Sequence, residues 1–156
     1  MKKIIMPVGI PGSGKTTYIK NNFNLTDKSV MRISADSIRY MLYGDENVQG
    51  NPIMVFNIVY NLFRLVIQDR TIETIIIDNT NINYNTRKNY YDILKEYSVP
   101  YKITLIEFTD HVKAFIRNDA RERTVPEDVM VKMQSKYSGL TKEEKEMGID
   151  SIEIVQ

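Results

Sequence analysis

The chain has 156 residues, 42% of them hydrophobic and 26% charged, which fits one soluble globular domain with a single core. It has no cysteine, which excludes a disulfide framework or thiolate metal site and suits a reducing cytoplasm. Its formal net charge of +1 is not the basic excess of a duplex-coating protein, so any nucleic acid would be gripped locally; no apolar run reaches the roughly 18 residues of a membrane span.

The amino terminus has two lysines before an apolar run, but the run is short and leads directly into a glycine-rich loop, so it reads as a first core strand over about 3–8 rather than a signal peptide. Gly9 to Thr16 then match the phosphate-binding pattern G-x-x-x-x-G-K-[ST]. The glycines let backbone N–H groups turn around phosphate oxygens, and the N-terminus of the helix that follows adds partial positive charge. Gly12, Ser13, Gly14, Lys15, Thr16 and Thr17 are therefore candidate nucleotide contacts. Lys15 reaches the β- and γ-phosphates and Thr16 offers its hydroxyl to Mg²⁺. The loop and its strand–helix context place a nucleoside triphosphate in the chemistry.

Downstream, segments alternate as in an α/β protein with a parallel sheet. A short strand over 29–33 leads to Ser34 as a helix N-cap, a helix over 35–42 and Gly44 as its stop. A polar stretch over 44–51 reads as a loop, and Pro52 opens a long apolar helix to about Asp69. The β-branched run 74–77 reads as a central strand. Further helices are expected over 85–97, 110–119 and 126–137, and further strands over 101–108 and 151–155. Tyr90, Tyr91, Phe56, Tyr60 and Phe63 read as packing residues. His111, the single histidine, reads as a surface residue near a helix start, and Glu143–Glu146 as a solvated helix face.

Three further groups carry candidate chemistry. Asp36 and Arg39 are three apart on a helix entered from a strand's carboxyl end, where ligands bind in doubly wound sheets. Asp36 can accept a hydroxyl proton and Arg39 can hold an anion on the acceptor; the alternative is a carboxylate at a helix N-terminus with an i,i+3 ion pair. Asp78-Asn79-Thr80-Asn81 ends the buried strand. There Asp78 suits a carboxylate behind the Mg²⁺ ligands, a partner for Arg39, or an Asx turn, and the four polar residues suggest a lined pocket. Arg117, Arg121 and Arg123 form the third group. If the helix continues, Arg117 and Arg121 share a face and can close over a triphosphate as a lid at about 117–130; as spacing alone, a solvated helix face explains them better.

The order of these motifs resembles the 5′-kinase domain of bacteriophage polynucleotide kinase. Gly9–Thr16, Asp36-x-x-Arg39, Asp78-Asn79-Thr80-Asn81 and Arg117-Asn118-x-x-Arg121 followed by Val125-Pro126 carry the resemblance, from about Lys3 to Gly139. It implies a P-loop kinase-like three-layer sandwich with a four- to five-stranded parallel sheet and a helical lid, in one domain over 1–156. It implies transfer of the ATP γ-phosphate to a 5′-hydroxyl end of DNA or RNA, with ATP and Mg²⁺ as cofactors. Asp36 would be the general base, and Arg39 would hold the acceptor's 3′-phosphate with Thr80 assisting and Asp78 nearby. Lys15 and Thr16 would engage donor phosphates and metal, and Arg121 with Arg117 would clamp ATP.

The chain also departs from that pattern. It lacks the Asp-x-Asp-Gly-Thr signature of a 3′-phosphatase, so end repair would need a separate phosphatase or ligase. Residues 44–52 match poorly, which leaves the acceptor open. A hydroxyl on a modified DNA base, a nucleoside or a small metabolite is the competing acceptor, and a non-kinase ATP-dependent switch is the competing class. Near-neutral charge suits a monomer or a homo-oligomer alike.

Overall fold

The computed structural model describes residues 1–122 and 124–154. Five strands, all paired in parallel, form one sheet: β1 (Lys2–Val8), β2 (Val30–Ile33), β3 (Thr74–Ile77), β4 (Tyr101–Phe108) and β5 (Asp150–Ile154), in the order β2-β3-β1-β4-β5. The chain runs from β1 outward to β2, returns to β3 and then crosses β1 to reach β4. The carboxyl end of β1 is therefore the switch point where a crevice opens, and the glycine-rich loop leaves the sheet there.

The connecting helices are α1 (Lys15–Asn22), α2 (Ala35–Tyr43), α3 (Pro52–Gln68), α4 (Tyr84–Leu94), α5 (His111–Asp119), α6 (Glu127–Lys136) and α7 (Lys142–Glu146). Along α3, Val55, Val59, Phe63 and Ile67 recur every four residues and are buried. With Tyr90, Tyr91 and Leu94 of α4 they cover one sheet face, against Ile4, Met6, Ile75 and Leu105. The pleat turns alternate residues to the opposite face, where Ile5, Ile76, Ile106 and Phe108 meet Ile19 of α1. A third cluster joins Ile10 of the loop to Ala114 of α5 and Met130 of α6, so the elements after β4 pack directly on the loop.

Local chemistry sets the boundaries. Ser34 caps α2 by accepting from the N–H of Ser37, and Gly44 ends it in the left-handed conformation. Helix α3 is about 25 Å long against about 13 Å for the four-residue β3 it leads into. Helix α4 ends at Leu94 rather than Tyr97, its last carbonyls taken in tight turns before Pro100. The expected terminal strand begins at Asp150, and Val155 lies outside the described residues.

Two readings of the sequence are corrected. Glu144 is not on a solvated face; it is fully buried against Arg87. His111 opens α5 but is not a free surface residue, since its ring packs edge-on at 4.6 Å against Tyr137 of the α6 C-cap. Burial holds its pKa below the usual histidine value.

Candidate active site

The glycine-rich loop takes its shape from two close approaches. A side chain at Gly12, whose φ is +84°, would strike the carbonyl of Ala114 and press on the N–H of Asn118, so the loop and α5 meet backbone to backbone. Gly14 caps α1 in the left-handed region and, lacking a side chain, gives the first N–H groups of that helix no side-chain cap. Such uncapped N–H groups at a loop-and-helix start suit an anion. Ser13 is buried within the loop, whereas Thr16 and Thr17 are exposed on the first turn of α1.

Lys15 folds over the loop, donating to the carbonyls of Gly9 at 2.8 Å and Ile10 at 2.9 Å. Burial lowers its pKa to about 8, against the opposing pull of Asp78, with a further push down from Arg121 and a smaller pull up from Asp36. These influences bring Asp36, Asp78 and Arg121 within electrostatic range of one amine, although they come from three separate stretches of chain. The structure thus gathers one member of each candidate group around the loop.

Asp36 and Arg39 pair at 3.0 Å on α2. The Asp36 side chain is 45% exposed and that of Arg39 11%, so the carboxylate faces solvent above a guanidinium set into the protein. Arg39 lies over the Phe56 ring at 6.0 Å, and its Nε is buried with no hydrogen-bond partner among the described residues. A buried, unpaired N–H on a charged group is costly unless something fills it, and an anion is the partner a guanidinium fits best.

Asp78 has a basic partner, but not the expected Arg39. Its Oδ2 accepts from Arg32 Nε at 2.7 Å and lies 2.5 Å from a second Arg32 nitrogen, so Arg32 and not Arg39 is its basic partner. The Thr16 hydroxyl donates to the same oxygen at 3.4 Å, which keeps Asp78 behind the hydroxyl expected to meet a metal. Asn79 and Asn81 are engaged within the scaffold. Asn79 accepts from the N–H of Ala35 and donates to Tyr90, while buried Asn81 donates to the carbonyls of Pro7, Ile77 and Asn79. They tie the end of β3 to α2 and β1. The half-buried Thr80 accepts from Gly9 N–H through its carbonyl.

On the opposite flank, Arg117 donates weakly to the Ser13 carbonyl at 3.4 Å. Helix α5 stops at Asp119, so Arg121 does not share its face but sits in the turn beyond. That turn is closed by buried Asn118, which donates to the Val125 carbonyl at 2.8 Å and accepts from Val125 N–H at 3.0 Å. Arg123 lies outside the described residues.

Sequence reasoning missed Arg32 and the Arg87–Glu144 pair, and it named Asn118 in a motif without giving it a role. Arg32 carried a faint signal, a charge in a short strand just before the capping serine. Among the described residues no group of three or more His, Cys, Asp or Glu could hold a metal by itself, so a metal here would depend on Thr16 and on a ligand's own oxygens. A cavity of about 500 Å³ lies at the amino ends of the strands, lined by Tyr101, Ile103 and Met147, away from all of these groups. No helix among the described residues is long and apolar enough to cross a membrane.

Comparison with known proteins agrees with this architecture. A fungal RNA kinase superposes with a TM-score of 0.71 at 17% identity, over 99% of this chain and 74% of that one. A chain of the Pnkp1/Rnl/Hen1 RNA repair complex gives 0.68 at 22% identity, over 94% of this chain and 46% of that one, so the chain spans about half of that relative. Kti12 of Chaetomium thermophilum, in complex with ADP-AlF3, gives 0.66 at 16% identity, over 96% and 88%. At these identities the likeness is one of fold, and the fold is that of a P-loop kinase-type domain. The AAA domain family model matches residues 4–140, the stretch that holds the loop, the first four strands and all three candidate groups, and the chain belongs to that family.

Proposed function

We propose that the chain is a phosphotransferase that moves the γ-phosphoryl group of ATP to the 5′-hydroxyl of a DNA or RNA end. The observation that carries this reading is the Asp36–Arg39 pair. A half-exposed carboxylate sits 3.0 Å from a deeply set guanidinium with an unpartnered Nε, within electrostatic range of Lys15. A nucleotide-driven switch has no use for such a pair, whereas a kinase needs a base for the hydroxyl and a holder for the acceptor.

The residues present fit a nucleotide with its metal. The α1 N-terminus and the loop N–H groups would donate to the phosphate oxygens, with Gly12, Ser13, Gly14 and Thr17 around them. Thr16 would hold Mg²⁺, with Asp78 behind it, and the ion would neutralise charge on the β- and γ-phosphates. Lys15 exchanges its two loop carbonyls for phosphate oxygens. Asp36 takes the proton of the attacking hydroxyl, and Arg39 fixes the acceptor through its 3′-phosphate, with Thr80 assisting. Arg121 and Arg117 approach from the α5 side and stabilise charge on the transferring group. Catalysis of this kind is positioning and electrostatic stabilisation, with little covalent chemistry for the protein to do.

Support also comes from relatives of this fold that are an RNA kinase and part of an RNA repair complex. Another, from Sinorhizobium meliloti, is a gluconokinase, which keeps a small-metabolite acceptor as the second reading. The deciding experiment offers γ-labelled ATP with 5′-hydroxyl DNA and RNA, 3′-nucleotides, hydroxymethylated duplex and small polyols. Label on the 5′-hydroxyl acceptors supports the reading. Label only on a polyol, or ATP hydrolysis with no labelled acceptor, rejects it.

A further inference from the structure

Arg32 is the one charged residue of β2, and the pleat decides which face it takes. Val30, two residues before it, packs in the cluster on the α1 face of the sheet. Alternate residues share a face, so Arg32 stands on that face as well. Across the ladder Arg32 is opposite Ile76, a member of the same cluster, and Asp78 follows Ile76 by two. The Asp78 N–H still bonds the Ile33 carbonyl at 2.8 Å, so strand geometry reaches that far. Sheet periodicity thus brings Arg32 and Asp78 together on the side that α1 covers, and α1 carries Thr16 in its first turn.

Arg32 does not hold its carboxylate as the buried Arg87 does. Arg87 grips Glu144 fork to fork, with Nε on Oε2 at 2.9 Å and Nη2 on Oε1 at 2.7 Å, so both carboxylate oxygens are used. Arg32 brings two nitrogens to Oδ2 alone, Nε at 2.7 Å and Nη2 at 2.5 Å. The Thr16 hydroxyl donates to that same oxygen at 3.4 Å. Oδ1 takes no hydrogen bond among the described residues. The positive charge is concentrated on the oxygen behind Thr16.

A carboxylate beside a phosphate loop can serve a divalent cation in two ways. It can ligate the ion itself, or it can take the hydrogen of a hydroxyl whose lone pairs do so. Arg32 selects the second. Its charge makes Asp78 a poor direct ligand, and its two N–H groups fix Oδ2 where the Thr16 hydrogen can point. We propose that Arg32 is a positioning residue for the metal side of this site: it keeps Asp78 an acceptor for Thr16 and stops it binding a divalent cation before nucleotide arrives. The proposal rests on the reading of Thr16 as the metal contact. It implies that metal and triphosphate enter together, since the protein alone offers only a neutralised carboxylate and one hydroxyl.

The test measures Mn²⁺ binding to the nucleotide-free full chain by electron paramagnetic resonance; Mn²⁺ is the probe because it takes the same oxygen ligands as Mg²⁺. The wild-type protein and Arg32→Lys, which keeps the charge, should both bind it weakly. Two neutral variants, Arg32→Gln with a donor for Oδ2 and Arg32→Met without one, should bind it about tenfold more tightly, as removal of a nearby unit charge implies. Adding Asp78→Asn should abolish the gain, and this double variant leaves no buried charge unpaired. A merely structural arginine would change stability without creating a metal site. Unchanged Mn²⁺ affinity in the neutral variants, or a gain that survives D78N, would overturn the proposal and leave the kinase reading intact. Thr16→Ala in the wild-type background tests the underlying reading. If Mg²⁺ then tightens ATP binding as strongly as before, Thr16 is not the metal contact, and the proposal falls with it.

Discussion

Arg87 and Glu144, 57 residues apart in sequence, form an ion pair with no exposed side-chain surface, and both partners are fully satisfied. Arg87 donates twice to Glu144 and once each to the carbonyls of Asn81, Ser138 and Gly139, using all five of its N–H groups. Glu144 also accepts from the Tyr91 hydroxyl and from the N–H and hydroxyl of Thr141. The pair fastens the return from α6 and the start of α7 to the end of β3.

Removing one partner leaves a buried charge alone, which typically costs about 3–5 kcal/mol. Glu144→Gln should therefore lower the urea unfolding free energy by that order. Burial disfavours the carboxylate, but its bonds with Arg87 and Tyr91 prevail and hold the Glu144 pKa below the usual 4.5. The stabilisation is thus complete above about pH 4.5, the unfolded value, and is lost as pH falls through the lower folded value. Acid titration of stability should be steeper for the wild-type protein than for E144Q; parallel curves would contradict the assignment.

Lys15 should make nucleotide binding sensitive to alkali. Its pKa of about 8 means that the amine is cationic below that pH and increasingly neutral above it. Triphosphate oxygens favour the cation, so binding above pH 8 must draw a proton from solvent. Affinity should fall by up to about tenfold per pH unit there. Calorimetry in buffers of different ionisation enthalpy should record proton uptake near pH 8.5 and almost none at pH 6.5.

Asp36→Ala should depress kcat by about 10²–10⁴-fold, the usual weight of a general base, and leave ATP affinity nearly unchanged. Single-turnover transfer and equilibrium ATP binding separate the two quantities. Matched losses in both would remove Asp36 from the proton-transfer role.

Two glycines with similar backbone angles should respond differently to alanine. Gly44 has φ +72° and open space around it, so G44A should cost about 1 kcal/mol of strain in thermal unfolding. Gly12 at φ +84° faces the Ala114 carbonyl, so G12A adds a backbone collision to the strain and should cost well over twice as much. It should also weaken nucleotide binding, which G44A should not.

Asn118→Ala should release Arg121 without touching it. The substitution removes both bonds to Val125 and should raise the KM for ATP several-fold. A double variant with R121A should be no worse in KM than R121A alone.

How much of this was legible depended on sequence distance. Gly9–Thr16 is contiguous, and Asp36–Arg39 is a spacing of three on one helix, so each could be read locally. The strand runs at 74–77 and 101–108 were plain because a buried parallel strand admits little but apolar and β-branched residues. Arg32 and Asp78 are 46 residues apart, and only the pairing of β2 with β3 brings them together. Glu144 sits in a charged run whose members look alike; the capping pattern Thr141-x-x-Glu144 was the one local hint that this carboxylate turns inward. The end of α5 at Asp119 was expected, but what holds the turn beyond it was not, because the Asn118 side chain, and not a glycine or proline, takes up the backbone there.

The strand order β2-β3-β1-β4-β5 has a consequence for how this scaffold can diversify. Residues 34–56 leave the sheet on one flank of β1 and residues 110–122 on the other, and the loop is the ground they share. The two flanks belong to separate stretches of gene, so one can be rewritten while the other is inherited intact. If the acceptor sits on Asp36 and Arg39 as proposed, a new acceptor would be acquired by editing some twenty codons between β2 and the middle of α3. The acceptor end then behaves as an interchangeable fitting on a constant engine.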